Sequence, residues 1–344
     1  MRIVIGLAAA GAVSICVGGA VWMMSSAPAR EKIQPAETTL AAAAPVPQAA
    51  PAPKAEAMAD VTGTVPAPEP KPAPAPAPAP AKRACANPDA LGIGRVVEID
   101  TTGGPGFGFE HFKQLDFLAE KEVVLTFDDG PWPGNTPAVL KALADQCTTG
   151  IFFAVGKHAT YHPEILRQVA AAGHTVGTHT WSHVNLNKKG MTDQQAKEEI
   201  EKGFSAVRLA LGTAPAPFFR FPQLQHPPAM VTYLGTRNIA MFSTDLDSFD
   251  FKASKPEKIV ETVMTKVNKL GKGIILMHDF QKHTAEALPA LLAQLKAGGF
   301  KVVQMKAKAP VATLAEYDAE VVKDAKLPTV SARPVSSVVQ TVAN

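Results

Sequence analysis

The sequence predicts an α/β fold built on a mainly parallel sheet, and three observations carry that expectation. Strand-like apolar runs alternate with helix-like stretches about seven times between residues 121 and 306, the pattern of parallel strands joined by helical crossovers. The first run, VVLTF at 123–127, shows no polar alternation, which marks a strand buried on both faces as in helix-covered parallel sheets. Several runs end in ionisable residues, beginning with Asp128 and Asp129, and the carboxyl ends of parallel strands are where such folds bind ligands and do chemistry. The alternation fits an open doubly wound sheet and a closed barrel equally well.

Taken in order, the chain begins with Met1 and Arg2 and carries no charge from 3 to 29. A positive start, a long apolar core and Ala27-Pro28-Ala29 before Arg30 describe an export signal with a small-residue cleavage site. The run is also long enough to stay as a membrane anchor, with residues 3–24 in the bilayer. Either outcome exports the rest of the chain to the periplasm or cell envelope. Residues 30–84 are crowded with Pro and Ala, most regularly in KPAPAPAPAPA at 71–81. Such a tract cannot bury a core and favours extended polyproline II, so it is expected to be a disordered linker. In an exported chain Cys85 and Cys147 are able to pair. One disulfide tying the start of the domain to its first helix is the expectation, and two separate buried thiols are the alternative.

The folded domain is expected over 85–306, with its motif-bearing core at 121–306. Residues 87–121, with Gly103-Gly104-Pro105-Gly106 and few periodic apolar positions, read as a loop-rich leading segment. Strand-like runs follow at 123–127, 150–156, 175–178, 217–222, 239–244, 273–277 and 300–305. Helix-like stretches lie between them at 137–146, 163–172, 192–211, 229–235, 255–270 and 284–297. Asn135-Thr136-Pro137, Thr192-Asp193 and Ser254 before Lys255-Pro256 supply caps and first-turn prolines. Residues 307–344 are expected to be a largely disordered tail with one short helix at 311–326. A net charge of +3 with no basic block gives no footprint for nucleic-acid binding.

Polar groups recur at the strand ends. Asp128 and Asp129 precede Gly130-Pro131, and Asp-Gly and Gly-Pro also form turns without any function. His179 and His183, in HTWSH, are spaced so that one helical turn would put both imidazoles on one side. Two histidines with a carboxylate make a common donor set for a divalent metal, although a pair on a surface helix has the same spacing. Arg220 sits among aromatics in FFRFP and needs an acidic partner, because an unpaired buried charge is expensive. Asp245, Asp247 and Asp250 follow in STDLDSFDF, where at least one is expected to cap a turn. IILMHD at 274–279 repeats the opening design, with a buried strand delivering His278 to the rim. Such a histidine is often only a satisfied rim residue; paired with a metal site, it is a proton donor suited to neutral pH.

Together these stretches resemble the polysaccharide deacetylases, carbohydrate esterase family 4, over residues 121–306. The five motifs appear in order as TFDDGP at 126–131, HTWSH at 179–183, RFP at 220–222, DSFDF at 247–251 and LMH at 276–278. The resemblance implies a distorted (β/α)7-type barrel. It also implies that Asp129, His179 and His183 hold a divalent metal, most often zinc. By the same resemblance Asp128 is the general base, Arg220 positions it, His278 is the general acid and Asp250 tunes it. The backbone N–H of Gln223 would meet the oxyanion, and Leu276 and Phe251 would line the slot for the acetyl methyl. The implied reaction removes N-acetyl groups from N-acetylglucosamine-type residues of peptidoglycan, a chitin-like oligomer or an exopolysaccharide. An O-acetyl esterase on xylan-like polymers would use the same machinery, and a non-catalytic envelope glycan-binding protein is the alternative from another class. Gln223 replaces the aromatic usual in the third motif and Phe251 the tryptophan usual in the fourth, which alters the wall of the sugar cleft.

Overall fold

The computed structural model describes residue 85 and residues 87–325. The apolar amino-terminal segment, the Pro/Ala-rich stretch to residue 84 and residues 326–344 lie outside the described residues, and so do the expectations placed on them. In chain order the strands are β1 (Arg95–Ile99), β2 (Gly106–Phe107), β3 (Glu122–Asp128), β4 (Ile151–Ala154), β5 (Thr175–Thr178), β6 (Phe218–Phe219), β7 (Ala240–Phe242), β8 (Leu246–Asp247), β9 (Gly273–His278) and β10 (Lys301–Ala307). The helices are α1 (Asn135–Asp145), α2 (Gly156–Tyr161), α3 (Pro163–Ala171), α4 (Asp193–Leu211), α5 (Pro228–Thr236), α6 (Pro256–Leu270), α7 (Lys282–Ala297) and α8 (Ala315–Ala325).

The unbroken apolar runs become a wall of parallel strands running β8, β9, β3, β4, β5, β6, β7. Among the described residues no ladder joins β7 to β8, and β2 pairs with β7 instead. This is the distorted seven-stranded (β/α) barrel, and it resolves the choice that strand counting left open. β10 lies beside the start of β3 and carries β1 on its other edge.

Strand alternation decides which side chains reach the lumen. In β3, Val123, Leu125 and Phe127 pack outward in one cluster with Leu143 of α1 and with Leu288 and Leu292 of α7. Val124 points the other way and joins Phe153, Phe218, Phe242 and Ile274 inside the barrel. By the same period Thr126 and Asp128 fall on the inner face, and β9 likewise turns Leu276 and His278 inward. The register sets Asp128 opposite His278 and Thr126 opposite Leu276. Two ionisable groups are therefore neighbours at one rim by backbone pairing alone.

Local signals account for four of the eight described helices. The caps expected at Asn135-Thr136 and Ser254 do not form, since α1 is preceded by Gly134 and α6 by Lys255, neither making a side-chain cap. Thr192 closes a capping box on α4, accepting from the Gln195 N–H while Gln195 Oε1 accepts from the Thr192 N–H, and Gly212 ends the helix in the left-handed region. Prolines occupy the first turns of α3, α5 and α6, where a missing N–H costs nothing.

Three expectations change. The leading segment is not only loop, since β1 and β2 add strands at the sheet margins. β1 pairs only with β10 and alternates between half-buried and exposed positions, and two-residue β2 is too short to leave a periodic trace. The strand read at 150–156 ends at Ala154, and α2 starts at Gly156. The tail past residue 306 begins as ordered chain, because β10 runs to Ala307 and α8 packs on α4. That contact buries Val321 and pairs Arg208 with Asp318 at 2.9 Å and Lys202 with Glu320 at 2.7 Å.

Cys85 and Cys147 form a disulfide with a Cα–Cα separation of 5.7 Å, fastening the start of the described chain just past the end of α1. The loop so closed contains many residues, so reduction is expected to lower the unfolding free energy by about 2–4 kcal/mol. Denaturant melts with and without reductant measure this; coincident curves would leave the bridge without a stabilising role. Among the described residues no helix is long and apolar enough to cross a membrane.

Candidate active site

The strand ends predicted to carry chemistry converge on one rim. Asp128 is the last residue of β3, His179 follows β5, Arg220 follows β6, and His278 ends β9. Asp128, Asp129, His179, His183, Gln223, Phe251, Leu276 and His278 all line one cleft of about 440 Å³. Arg220 and Asp250 stand behind it, 0% and 2% exposed.

Asp128 and Asp129 point to different partners because the chain turns sharply between them. Asp129 takes a φ of 75°, a left-handed conformation that costs a non-glycine residue about 1–2 kcal/mol. His183 at 59° and Gln223 at 56° share that region. Strained backbone is thus concentrated at the rim, where each reversal aims a side chain or an N–H into the cleft.

One donor atom each from Asp129, His179 and His183 lies within a 4.8 Å cluster. His183 Nε2 is 3.2 Å and His179 Nε2 3.6 Å from Asp129 Oδ1. His179 Nδ1 donates to the Arg220 carbonyl at 2.7 Å, so its Nε2 carries the lone pair. Burial pushes His179 down to about 4 despite the nearby carboxylates, and the ring is neutral at neutral pH, as a ligand must be. Asp129 Oδ1 is buried without a hydrogen-bond partner, an arrangement that normally has a reason. An orphaned carboxylate oxygen facing two imidazole nitrogens fits a divalent cation.

The two histidines do not meet through a helical turn. His179 leaves β5 in extended chain, and the segment to His183 is a bend with Thr180 also at positive φ, 65°. α4 holds that bend, since Glu199 accepts from the Ser182 N–H at 2.8 Å and the Ser182 hydroxyl at 2.7 Å, and its carbonyl accepts from the Trp181 N–H at 2.8 Å.

The partner that Arg220 requires is Asp128. Its guanidinium donates to Asp128 Oδ1 and to Thr126 Oγ1, each at 2.7 Å, and to the Ser243 carbonyl at 2.8 Å. It also lies 4.4 Å from the centroid of Phe153. Geometry this constrained leaves Asp128 one orientation, with Oδ2 3.8 Å from His179 Nε2. Asp128 is therefore beside the cation-binding group without belonging to it.

Across the cleft, Asp250 Oδ1 accepts from His278 Nδ1 at 2.6 Å, and Oδ2 accepts from the His278 backbone N–H at 2.7 Å. Burial alone would push His278 down, but the hydrogen bond and charge of Asp250, with the fields of Asp129 and Asp128, hold it up at about 10. With Nδ1 committed to Asp250, His278 presents Nε2 to the cleft as a proton donor. The other two aspartates of that stretch have different work. Asp245 accepts from the Phe109 and Ile274 N–H groups, each at 2.6 Å, and Asp247 accepts from the Phe249 N–H at 2.8 Å. Leu276 forms a buried floor, and Phe251, half exposed, stands edge-on to His278 with ring centroids 5.7 Å apart. Gln223 Oε1 accepts from Asn185 Nδ2 at 2.8 Å, so its side chain is engaged at the margin of the cleft that its residue lines.

Sequence reasoning missed several residues that hold the site. Thr126 relays between Arg220 and the Ile275 carbonyl, and its inward position in β3 was the available signal. His158 of α2 donates to the Asp129 carbonyl at 2.6 Å. Asp279 is buried beside Gly130, where desolvation raises it to about 7 against the hydrogen bonds from Thr136 and Gly130. Phe280 lines the same cleft, and Trp132 stands edge-on to Phe280 with ring centroids 6.4 Å apart.

Comparison with known proteins agrees with this geometry. The profile of the family described as polysaccharide deacetylase matches residues 118–240. A chitooligosaccharide deacetylase of Sinorhizobium fredii is 30% identical over 209 residues, covering 55% of this chain and 95% of that protein. A peptidoglycan-N-acetylglucosamine deacetylase of Bacillus cereus is 29% identical over 188 residues, covering 54% of this chain and 66% of its own. Among solved structures, a Bdellovibrio bacteriovorus peptidoglycan deacetylase superposes with a TM-score of 0.56 at 33% identity, covering 63% of this chain and 59% of that one.

Proposed function

This chain belongs to the polysaccharide deacetylase family, and we propose that it hydrolyses the N-acetyl group of N-acetylglucosamine-type residues in an envelope or extracellular polysaccharide. The observation that carries the reading is the pairing of two devices on one cleft. An Asp129–His179–His183 group with an orphaned oxygen stands beside Asp128, and the Asp250–His278 pair faces them.

Zinc, held by Asp129, His179 and His183, would supply Lewis acidity at the acetyl carbonyl. Asp128, oriented by Arg220, takes a proton from the attacking water as its oxygen bonds to the carbonyl carbon. The Gln223 backbone N–H meets the negative oxygen that results. His278 gives its Nε2 proton to the departing nitrogen, the C–N bond breaks, and acetate and a free amine remain. Leu276 and Phe251 enclose the methyl group. Asp250 keeps His278 protonated until the amine leaves.

The relatives' printed substrates, peptidoglycan and chitooligosaccharide, support N-acetylated glycans as the class and the cell envelope as the place of action, reached through the apolar segment at 3–29. Acetate release from peptidoglycan, chitin oligomers and acetylated xylan, measured side by side, tests this. Release from at least one of the first two is expected. Release from xylan alone would make the protein an O-acetyl esterase, and no release from any would favour a glycan-binding role.

A further inference from the structure

We propose that Asp279 is a positioning residue that fixes the backbone of Asp129 and so sets the affinity and geometry of the cation site; the inference rests on the metal reading above. Asp279 is 1% exposed and touches the peptide groups on both sides of Asp129. Its N–H donates to the Asp128 carbonyl at 3.2 Å. Its Oδ1 accepts from the Gly130 N–H at 3.1 Å. Oδ2 accepts from the Thr136 hydroxyl at 2.5 Å, and that hydroxyl accepts in turn from the Trp132 N–H at 2.8 Å. Asp279 thus organises the turn from 128 to 132, its backbone N–H holding Asp128 and its carboxylate holding Gly130 and, through Thr136, Trp132.

Asp129 needs such a hold because its φ of 75° is unfavourable for a residue with a side chain. The remaining backbone groups of Asp129 are also engaged, the N–H with the Phe153 carbonyl at 3.3 Å and the carbonyl with His158 Nδ1 at 2.6 Å. Asp279 reaches the turn from the position just after β9, next to His278, and so adds its contacts to the β3–β9 pairing that already joins the two sides of the cleft. The fit depends on glycine at 130: a Cβ there would stand 2.0 Å from Asp279 Oδ2. Residues that orient a metal ligand commonly change affinity about 10- to 100-fold when removed. Asp279 acts on the ligand's backbone and not on its carboxylate, so the effect should be visible in binding before any substrate is present.

The test is zinc affinity of the full chain by competition titration, with cobalt(II) absorption as a report of coordination. Asp279→Ala is expected to weaken zinc binding by about 10-fold or more and to change the cobalt spectrum. Asp279→Asn, which keeps the shape and an acceptor for Gly130, should retain most of the affinity. Gly130→Ala attacks the same fit from the other side and should reproduce the loss if Asp279→Ala does not fold. Val321→Ala, in α8 and remote from the rim, controls for general destabilisation and should bind zinc as the wild type does. Wild-type affinity and spectrum in Asp279→Ala or Gly130→Ala would overturn the inference, as would an equal loss in Val321→Ala. A wild-type chain that binds no zinc would overturn the metal reading and this inference with it.

Discussion

Asp128→Asn is expected to lower acetate release by about 10²–10⁴-fold, the contribution of a well-placed general base, while zinc still binds. Asp128 lies beside the cation-binding group, not in it, with Oδ1 held by Arg220 and Oδ2 3.8 Å from His179 Nε2. An asparagine of the same shape keeps an oxygen for Arg220 but cannot take a proton. It also leaves a guanidinium that is 0% exposed without its balancing charge, so the variant should unfold more easily. Thr126 and the Ser243 carbonyl still engage Arg220, which keeps the arginine in place. Single-turnover acetate release together with a zinc titration separates the two effects. Near-normal turnover would remove Asp128 from the role of base.

Asp250→Asn should shift the alkaline limb of the pH profile downward. In the native pair, Asp250 holds His278 at about 10 against burial, so the imidazolium that would protonate the amine in the proposed reaction persists well above neutrality. A cation held by Asp129 would offset part of the supporting field and bring the native limb below that value. With Asp250 neutral, burial dominates and His278 falls toward or below the ordinary imidazole value of about 6.5. At pH 8 the variant is then short of the protonated form, and kcat should drop at least about 10-fold while recovering at acid pH. The sign for stability follows from the same pair. The raised His278 stabilises the fold fully below its unfolded value, and that contribution is lost as pH rises through the folded one. An unchanged pH profile in Asp250→Asn would show that Asp250 does not tune His278.

Asp128, Arg220, His278 and their neighbours were legible in the sequence because each sits where an apolar run stops, and in a parallel barrel all such stops share one rim. Inward placement was legible too, since a period of two carries Val124, Thr126 and Asp128 to the same face of β3. What could not be read were contacts made by backbone groups across the barrel. Asp279 and His158 grip the Asp128–Asp129–Gly130 turn through carbonyls and N–H groups, and no spacing rule links them to it. The spacing of the histidines in HTWSH would also suit a helical turn, because the distance between them in sequence says nothing about φ. Glu199 of α4 and the positive-φ residues Thr180 and His183 shape it instead. β2 and β8 are two residues long, below the length at which periodicity exists. α8 was legible as a helix, while the docking that buries Val321 depends on a surface of α4 that only folding assembles.

Cation-dependent acetate release bears most directly on the central claim that Asp129, His179 and His183 hold the metal for this hydrolysis. The full chain would be assayed on N-acetylated chitin oligomers and peptidoglycan as purified, after stripping with a strong chelator, and after zinc is returned. Release that disappears on stripping and returns with zinc, in the wild type but not in His179→Ala, is the expected result. Release that continues undiminished in protein shown to contain no metal would contradict it.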